Sequence, residues 1–274
     1  MEYHEIDLGI EIPKIGLGTW GLGGKQIEDR RWDEENILAI KMAIDLGLTH
    51  IDTAEYYGAG HCEELIGEAI QLYPRDSLFI TTKVWRTNLN HDRLLKSMRA
   101  SLKRLKLDFV DLYLIHWPNY QTPLKKTIQA LEQCVNEGYT KYIGVSNFSA
   151  HLIQKAQSYL KENYLIANQA EFNLLDQKPK INLLPYLLET NRTLIAYSPL
   201  ARGILPTYKH QLLTEISEKY GKSQVQVALN WVISHENVVT IPKSRNPLHL
   251  MEFMDSIGWE MELKDKTELS NSFL

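Results

Sequence analysis

The chain has 274 residues, of which 44% are hydrophobic and 23% are charged, so it is long enough to bury a large core. Its formal net charge of -4 argues against a protein that binds nucleic acid or a membrane surface, because those partners attract an excess of Lys and Arg. The two cysteines, Cys62 and Cys134, form no CxxC motif, so the sequence predicts neither a disulfide framework nor a metal site.

The first residues contain no basic region followed by an apolar run, and no apolar stretch approaches the roughly 18 residues that span a membrane. We therefore expect a soluble, cytoplasmic protein. We also expect a monomer that has neither nucleic acid nor a membrane as a partner.

Short β-rich segments alternate with longer segments of helical periodicity along the chain. The predicted strands, in chain order, are 14–18, 50–53, 78–83, 109–116, 142–146, 167–171, 193–197 and 238–241. This alternation is typical of a parallel sheet covered by helices. Eight such units in a chain of this length favour a closed (β/α)8 TIM barrel, an α/β fold, over an open doubly wound sheet. We expect residues 1–274 to form a single domain, with an N-terminal β-hairpin that caps the barrel.

Apolar residues at helical spacing predict amphipathic helices between the strands. The clearest stripes are Ile37, Ile40 and Ile44, then Leu95, Met98, Leu102 and Leu105, and then Leu124, Ile128, Leu131 and Val135. Asp33 is the predicted N-cap of the first helix, and Thr122 followed by Pro123 is that of the third. Gly47 and Gly138 are the predicted terminators of these two helices.

The segment 16–21 has the G-x-G-x-x-G spacing of a dinucleotide-binding fold. That fingerprint requires the glycines to open a helix, but more glycines follow and no helical pattern begins before about Asp33. Gly24-Lys25 likewise lacks the remaining residues of a phosphate-binding loop. We interpret the segment as a glycine-rich loop.

Four polar residues lie near the predicted strand ends, where barrels of this kind carry out their chemistry. Asp52, Lys83 and His116 end the second, third and fourth strands, and Tyr57 follows in the loop after Asp52. Each alone has a structural explanation, since an Asp after a strand is often a helix cap and a lone His is usually a core residue. Their shared placement favours a catalytic group.

Tyrosine explains why these residue types belong together. A phenol with a pKa near 10 is a poor proton source, and a neighbouring ammonium lowers that pKa, while a carboxylate keeps the ammonium charged. We predict that Tyr57 donates a proton and is tuned by Lys83 and Asp52. His116 is predicted to hold the oxygen of a substrate carbonyl. Because no residue supplies a hydride, a redox cofactor is required.

Several blocks in a fixed order carry a resemblance to a known family. They are GLGTW at 16–20, IDTAEYYG at 51–58, TTKVW at 81–85, DLYLIHWP at 111–118, IGVSNF at 143–148, NQAEFN at 168–173, AYSPLARG at 196–203 and IPKS at 241–244. From about residue 15 to 253 the chain resembles the aldo-keto reductases. The resemblance implies that Asp52, Tyr57, Lys83 and His116 are a catalytic tetrad. It also implies an NADPH-dependent enzyme that reduces an aldehyde or ketone, with the cofactor extended across the barrel mouth rather than bound by a Rossmann fold.

The resemblance further implies a set of cofactor contacts. They are Ser146, Asn147, Gln169 and Tyr197 at the nicotinamide, Thr19 and Asp52 at its ribose, Ser198 and Leu200 at the pyrophosphate, and Lys243, Ser244 and Glu252 at the adenosine end. The turn Tyr197-Ser198-Pro199 has an alternative interpretation as the simple close of a strand.

One departure from the family pattern concerns the 2′-phosphate of the cofactor. The commoner NADPH-binding form has an Arg and an Asn where this chain has His249 and Phe253. Lys243, Ser244 and Arg245 remain, so we expect NADPH (NADP+) to be preferred, with NADH also accepted and His249 adding charge when it is protonated. A solvated basic face is the alternative interpretation of these residues.

Four aromatic residues near the strand ends, Trp20, Tyr56, Trp85 and Trp117, predict an aromatic substrate pocket. For Trp117, packing against helices is an equally good interpretation. The family's long C-terminal lid is expected to be largely absent, which predicts an open pocket and a broad range of carbonyl substrates.

Two other functions remain open. A nicotinamide-binding regulatory or redox-sensing subunit would keep the same fold. A barrel lyase, isomerase or metal-dependent hydrolase would need a phosphate-binding loop or a cluster of His and carboxylate groups. The other histidines are dispersed, and His50 is expected on the strand face opposite the site.

Overall fold

The structure, a computed structural model, describes residues 2–7 and 9–273. It contains an antiparallel hairpin, β1 (Tyr3–Asp7) and β2 (Ile10–Pro13), and a sheet of eight parallel strands in chain order. These are β3 (Leu17–Gly18), β4 (His50–Asp52), β5 (Phe79–Val84), β6 (Val110–Ile115), β7 (Thr140–Ser146), β8 (Leu165–Glu171), β9 (Thr193–Tyr197) and β10 (Val238–Thr240). All eight predicted strands are therefore confirmed, with boundaries that shift by a few residues.

Backbone hydrogen bonds between the first and last strands close the sheet into a barrel. The N–H of Gly16 donates to the carbonyl of Thr240 at 2.8 Å, and that of Gly18 donates to Pro242 at 2.9 Å. A Cβ at Gly18 would lie 2.4 Å from the carbonyl oxygen of Ile241, so only glycine fits at this closure. The predicted (β/α)8 barrel is confirmed.

The barrel interior is apolar at its amino-terminal end. Phe79, Leu112 and Ile195 form one buried cluster with Ile6 and Ile12 of the hairpin. The hairpin therefore plugs this end, as expected, and leaves the carboxyl ends of the strands as the open mouth.

Ten helices surround the barrel in the described part of the chain. They are α1 (Asp33–Asp45), α2 (His61–Ala69), α3 (His91–Leu105), α4 (Leu124–Asn136), α5 (Ala150–Gln157), α6 (Pro179–Glu189), α7 (Gln211–Tyr220), α8 (Gln224–Ile233), α9 (Pro247–Met254) and α10 (Leu263–Ser272). Most residues of the predicted stripes are buried, and the remainder pack half-buried against the same core. Among residues 2–7 and 9–273, no helix is both long and apolar enough to cross a membrane.

Two predicted helix terminators are confirmed and two predicted caps are wrong. Gly47 and Gly138 take left-handed conformations just beyond α1 and α4, with φ of 98° and 74°. Asp33 is instead the first residue of α1, where its carboxylate contacts the Nε2 of His61 at 2.9 Å. The N-cap position of α4 is occupied by Pro123, which leaves Thr122 outside the helix.

Candidate active site

The four predicted tetrad residues meet at the open mouth of the barrel. Asp52 ends β4, Lys83 lies near the end of β5, and His116 directly follows β6. Tyr57 begins a short 3-10 turn, Tyr57–Gly60, in the loop after β4. The ammonium of Lys83 donates hydrogen bonds to Asp52 Oδ1 at 2.6 Å and to the hydroxyl of Tyr57 at 3.2 Å. A third bond, to the carbonyl of Thr53 at 2.7 Å, satisfies the remaining donor.

Asp52 and Lys83 form a buried ion pair, with exposed fractions of 1% and 0%. Burial raises the pKa of Asp52 and lowers the pKa of Lys83, and in each case the partner opposes the shift. Gln169 donates to the second carboxylate oxygen of Asp52 at 2.7 Å. Because a donor points at each oxygen, the surroundings fit an ionised carboxylate, which holds the Lys83 ammonium in place.

The pKa of Tyr57 shifts in the direction opposite to our expectation. We expected Lys83 to lower it, but burial raises it well above 10, and the charge of Asp52 adds to the rise. The reason is that burial of the Tyr57 hydroxyl disfavours the phenolate more than one neighbouring ammonium favours it. The Tyr57 hydroxyl is therefore protonated at neutral pH, which suits a proton donor.

His116 faces the same point as a neutral ring. Burial, together with the charge of Lys83, lowers its pKa well below 6.5. Its ring lies edge-on to the rings of Tyr57 and Trp85, at centroid distances of 5.6 Å and 5.1 Å. The Nδ1 atom is buried and has no hydrogen-bond partner in the described residues. A neutral imidazole in this position can offer one N–H to a substrate oxygen.

The expected placement of His50 was wrong. Its Nε2 contacts Thr81 Oγ1 at 3.1 Å inside the barrel, on the same face as Asp52 and one layer below it. Two residues apart on a strand, His50 and Asp52 must share a face, so the sequence already contained this signal. Burial, with the charge of Lys83 adding to it, lowers the pKa of His50 to about 3, so it is a neutral core residue at physiological pH.

The residues predicted to hold the nicotinamide lie beside the tetrad. Asn147, in a left-handed conformation with φ of 63°, donates to the carbonyl of His116 at 3.0 Å and to Ser146 Oγ at 2.9 Å. The hydroxyl of Tyr197 donates to Asn147 Oδ1 at 2.9 Å and so anchors the half-buried Tyr197 ring at the mouth. Gln169 reaches the same region through its bond to Asp52.

Three further predicted residues lie around this centre. Thr19 is buried and donates from its hydroxyl to the carbonyl of Asp52 at 2.8 Å. Ser198 and Leu200 are half-buried after β9, and Ser198 takes a left-handed conformation with φ of 51°. Its carbonyl accepts from the backbone N–H of Ala201 at 2.9 Å, so a turn does close this strand. That turn leaves both residues at the rim of the mouth.

The residues predicted at the adenosine end follow β10. Ser244 Oγ lies 3.2 Å from Nδ1 of the exposed His249 and accepts from the backbone N–H of Asn246 at 3.0 Å. Glu252 accepts a hydrogen bond from Ser223 at 2.6 Å. Phe253 is in the core at 2% exposure, so it offers no polar group to a phosphate.

Charge in this segment favours an anion. Lys243 lies at the surface, yet desolvation lowers its pKa, and the nearby charges of Arg245 and Lys25 lower it further. Three positive charges that influence one another in this way favour binding of an anion such as a phosphate.

Three of the four predicted pocket aromatics form one layer over the tetrad. Tyr56 stacks on Trp85 at 3.7 Å, and the Trp20 ring is parallel to Tyr56 at 6.1 Å. Trp117, at 40% exposure, takes part in none of the ring contacts among the described residues. The structure therefore assembles an aromatic wall from three residues and leaves the fourth at the rim.

Sequence reasoning missed two residues at this mouth. Glu55 accepts hydrogen bonds from the backbone N–H of Trp85 at 2.6 Å and from Asn88 at 3.0 Å, and so ties the loop after β4 to the loop after β5. The signal was a charged residue between Asp52 and Tyr57. Lys25 belongs to no phosphate-loop motif, yet its carbonyl accepts a hydrogen bond of 2.8 Å from the N–H of Gly58, the residue after Tyr57.

Comparison with known proteins agrees with this geometry. The sequence profile described as "Aldo/keto reductase family" matches residues 14–268. The chain belongs to the aldo-keto reductase family. This aldo-keto reductase places Asp52, Lys83 and His116 at or near the carboxyl ends of its barrel strands, the end at which barrels of this kind carry their active sites.

Curated relatives and solved structures match this aldo-keto reductase over nearly its full length. Glyoxal reductase of Bacillus subtilis (strain 168) is 37% identical over 266 residues, which cover 95% of this chain and 89% of that protein. The thermostable aldo-keto reductase Tm1743, solved with the inhibitor epalrestat, is 42% identical with a TM-score of 0.95 and covers 99% of this chain and 100% of its own. An aldo/keto reductase from Klebsiella pneumoniae in complex with NADP and acetate is 30% identical with a TM-score of 0.88, covering 96% and 92%.

Proposed function

We propose that the chain is an NADPH-dependent reductase that converts aldehydes or ketones to alcohols, with Tyr57 as the general acid. The observation that carries this proposal is the buried chain of hydrogen bonds from Asp52 through Lys83 to Tyr57, with neutral His116 beside it. A binding protein has no need of a protonated, desolvated phenol facing an open mouth.

The proton balance follows from this arrangement. NADPH held at the mouth would supply the hydride for the carbonyl carbon, and the Tyr57 hydroxyl would donate its proton to the carbonyl oxygen. His116 donates a hydrogen bond to that oxygen as charge develops on it. Lys83 stabilises the phenolate left on Tyr57 through its 3.2 Å hydrogen bond, and Asp52 keeps Lys83 charged.

The residues present fit a phosphorylated nicotinamide cofactor. The Tyr197 ring, fixed by Asn147, offers a face for stacking at the nicotinamide end. Lys243 and Arg245 offer charge at the other end, and no ion pair within 4 Å engages either side chain in the described part of the chain. Solved relatives carry NADP or NADPH, which supports NADPH over NADH.

For the substrate we propose small aldehydes and dicarbonyls of the glyoxal type, together with aromatic aldehydes. The similar proteins named for glyoxal and methylglyoxal reduction support the first class. The stacked Trp20, Tyr56 and Trp85 support the second, because planar substrates pack well against aromatic rings. We further propose that residues 1–274 work as a single domain.

The test is loss of the absorbance of reduced nicotinamide with a panel of aldehydes, ketones and dicarbonyls. NADPH oxidation that depends on both the carbonyl and Tyr57 is the expected result. Tight NADPH binding with no turnover on any carbonyl would favour a regulatory or redox-sensing subunit instead. Failure to bind either nicotinamide cofactor would exclude both functions.

A further inference from the structure

The loop between β3 and α1, residues 19–32, runs along the mouth of the barrel. It is folded tightly around two glycines: a Cβ at Gly24 would lie 2.1 Å from the carbonyl oxygen of Ile27, and Gly24 has a φ of 107°. The N–H of Asp29 donates back to the carbonyl of Gly23 at 2.9 Å. The loop is therefore an ordered arm rather than an open excursion.

One end of this arm contacts the Tyr57–Gly60 turn. The carbonyl of Lys25 accepts a hydrogen bond of 2.8 Å from the N–H of Gly58, the residue after Tyr57. This bond fixes the Lys25 backbone at the mouth and leaves its side chain exposed to solvent.

The other end contacts the segment that follows β10. The guanidinium of Arg245 lies 4.5 Å from the centre of the Trp32 ring, within the range of a cation–π contact. Trp32 is itself exposed, and it directly precedes α1. The arm thus spans from the Tyr57–Gly60 turn to the segment that follows β10.

Lys25 in the arm and Arg245 after β10 both lie near enough to Lys243 for their charges to lower its pKa. Lys25, Lys243 and Arg245 make no ion pair within 4 Å in residues 2–7 and 9–273. The charge of Arg245 helps to lower the pKa of Asp29, but the Asp29 carboxylate accepts its hydrogen bond from Arg31, at 2.7 Å. Like charges gathered without an acidic partner repel one another, and a bound dianion would relieve that repulsion.

We propose that Lys25 is a further ligand of the cofactor 2′-phosphate, acting with Lys243 and Arg245, and that Trp32 positions Arg245 for it. This inference rests on the proposed NADPH dependence. The expected contact takes the place of the Arg and Asn that the family pattern has where this chain has His249 and Phe253. An ammonium is a compact donor that suits a phosphate oxygen.

The test measures binding rather than turnover. NADPH and NADH are titrated by nucleotide fluorescence into the wild type, Lys25→Met and Lys96→Met, a matched variant that removes an exposed lysine from α3. Lys25→Met is expected to lower the affinity for NADPH about tenfold, since a charge-assisted bond to the 2′-phosphate is lost. Its affinity for NADH is expected to stay within about twofold of the wild-type value. Lys96→Met is expected to change neither affinity.

Trp32 is tested by the same titrations. Trp32→Ala is expected to lower the affinity for NADPH several-fold, because Arg245 loses its cation–π contact. Trp32→Phe keeps an aromatic face and is expected to retain most of the affinity. A merely structural role would lower the thermal midpoint of Trp32→Ala and weaken both cofactors alike, and that result would overturn the positioning role.

The other outcomes separate this proposal from the proposed function. Unchanged NADPH affinity in Lys25→Met would overturn the assignment of Lys25 to the cofactor. Equal weakening of NADPH and NADH would place Lys25 at the pyrophosphate and overturn its assignment to the 2′-phosphate. Absence of nucleotide binding by the wild type would instead refute the proposed function itself.

Discussion

The ammonium of Lys83 donates a 3.2 Å hydrogen bond to the hydroxyl of Tyr57, and both groups are buried. The pKa of Tyr57 is nevertheless raised, since burial outweighs the ammonium. In the proposed mechanism, Lys83 would therefore stabilise the phenolate after proton transfer without removing the proton beforehand. A general acid needs both properties, and they govern the first two predictions.

Tyr57→Phe should abolish carbonyl reduction and leave NADPH binding nearly unchanged, because it removes one proton and little surface. The expected loss in kcat is at least about 10²-fold, as for other general acids. Steady-state rates and nucleotide titration measure the two effects separately. A variant that kept more than about a tenth of wild-type turnover would show that Tyr57 is not the acid.

Lys83→Met should lower kcat and shift any alkaline decline in the rate to higher pH, because the phenolate loses its stabilising cation and the pKa of Tyr57 rises further. In the wild type the rate should stay flat through the neutral range, since Tyr57 remains protonated and His116 remains neutral there. Lys83→Arg should not restore kcat fully, because a planar guanidinium cannot replace a compact ammonium at the same point. An identical pH–rate profile in all three proteins would refute the coupling.

Lys83→Met also leaves the buried carboxylate of Asp52 without its ion-pair partner. This loss should lower the free energy of unfolding by about 3–5 kcal/mol. The double variant Asp52→Asn, Lys83→Met removes this charge and should recover part of that stability. Denaturant unfolding of the single and double variants distinguishes a catalytic loss from a folding loss. If both variants were equally unstable, the unpaired carboxylate would not be the cause.

NADPH should be preferred over NADH, by a smaller margin than an Arg in place of His249 would give. Lys243→Ala should weaken NADPH binding selectively, because a charge facing the 2′-phosphate is lost. Fluorescence titration of both cofactors into the wild type and Lys243→Ala tests this. Equal affinities for NADPH and NADH, unaltered by Lys243→Ala, would mean that the segment does not bind the phosphate.

Glu55→Ala should impair the aromatic wall, because Glu55 is the acceptor for the backbone N–H of Trp85. Losing a hydrogen bond to a charged group costs about 1.5–3 kcal/mol. We therefore expect the KM for aromatic aldehydes to rise and the kcat for glyoxal to change little. Glu55→Gln keeps an acceptor oxygen, so its KM for aromatic aldehydes should lie between the values for the wild type and Glu55→Ala. A KM for aromatic aldehydes that is unchanged in both variants would remove Glu55 from the pocket.

His61 should make the stability depend on pH. Burial opposes its charge, but hydrogen bonds to Glu64 and Asp33 raise its pKa above the ordinary value. A raised folded pKa contributes stability that is complete below about pH 6.5 and is lost as pH rises through the folded value. The thermal midpoint should therefore fall over that range in the wild type and fall less in His61→Asn. His151→Asn, on the exposed face of α5, is the control. The same slope in all three proteins would contradict the prediction.

The sequence alone determined the barrel and the members of the tetrad. Strand and helix periodicities are local, and the carboxyl ends of parallel strands must meet at one mouth, so Asp52, Lys83 and His116 had to converge there. The same period-2 rule places His50 beneath Asp52, so the expectation that it lies on the opposite strand face is wrong.

Only the tertiary structure decided the direction of the Tyr57 pKa shift, because desolvation depends on how many atoms from separate segments close around the hydroxyl. The same holds for the exclusion of Trp117 from the aromatic wall and for the contact of Arg245 with Trp32. Such contacts join residues far apart in the chain. Their distances depend on how loops pack at the mouth, which no local pattern in the sequence encodes.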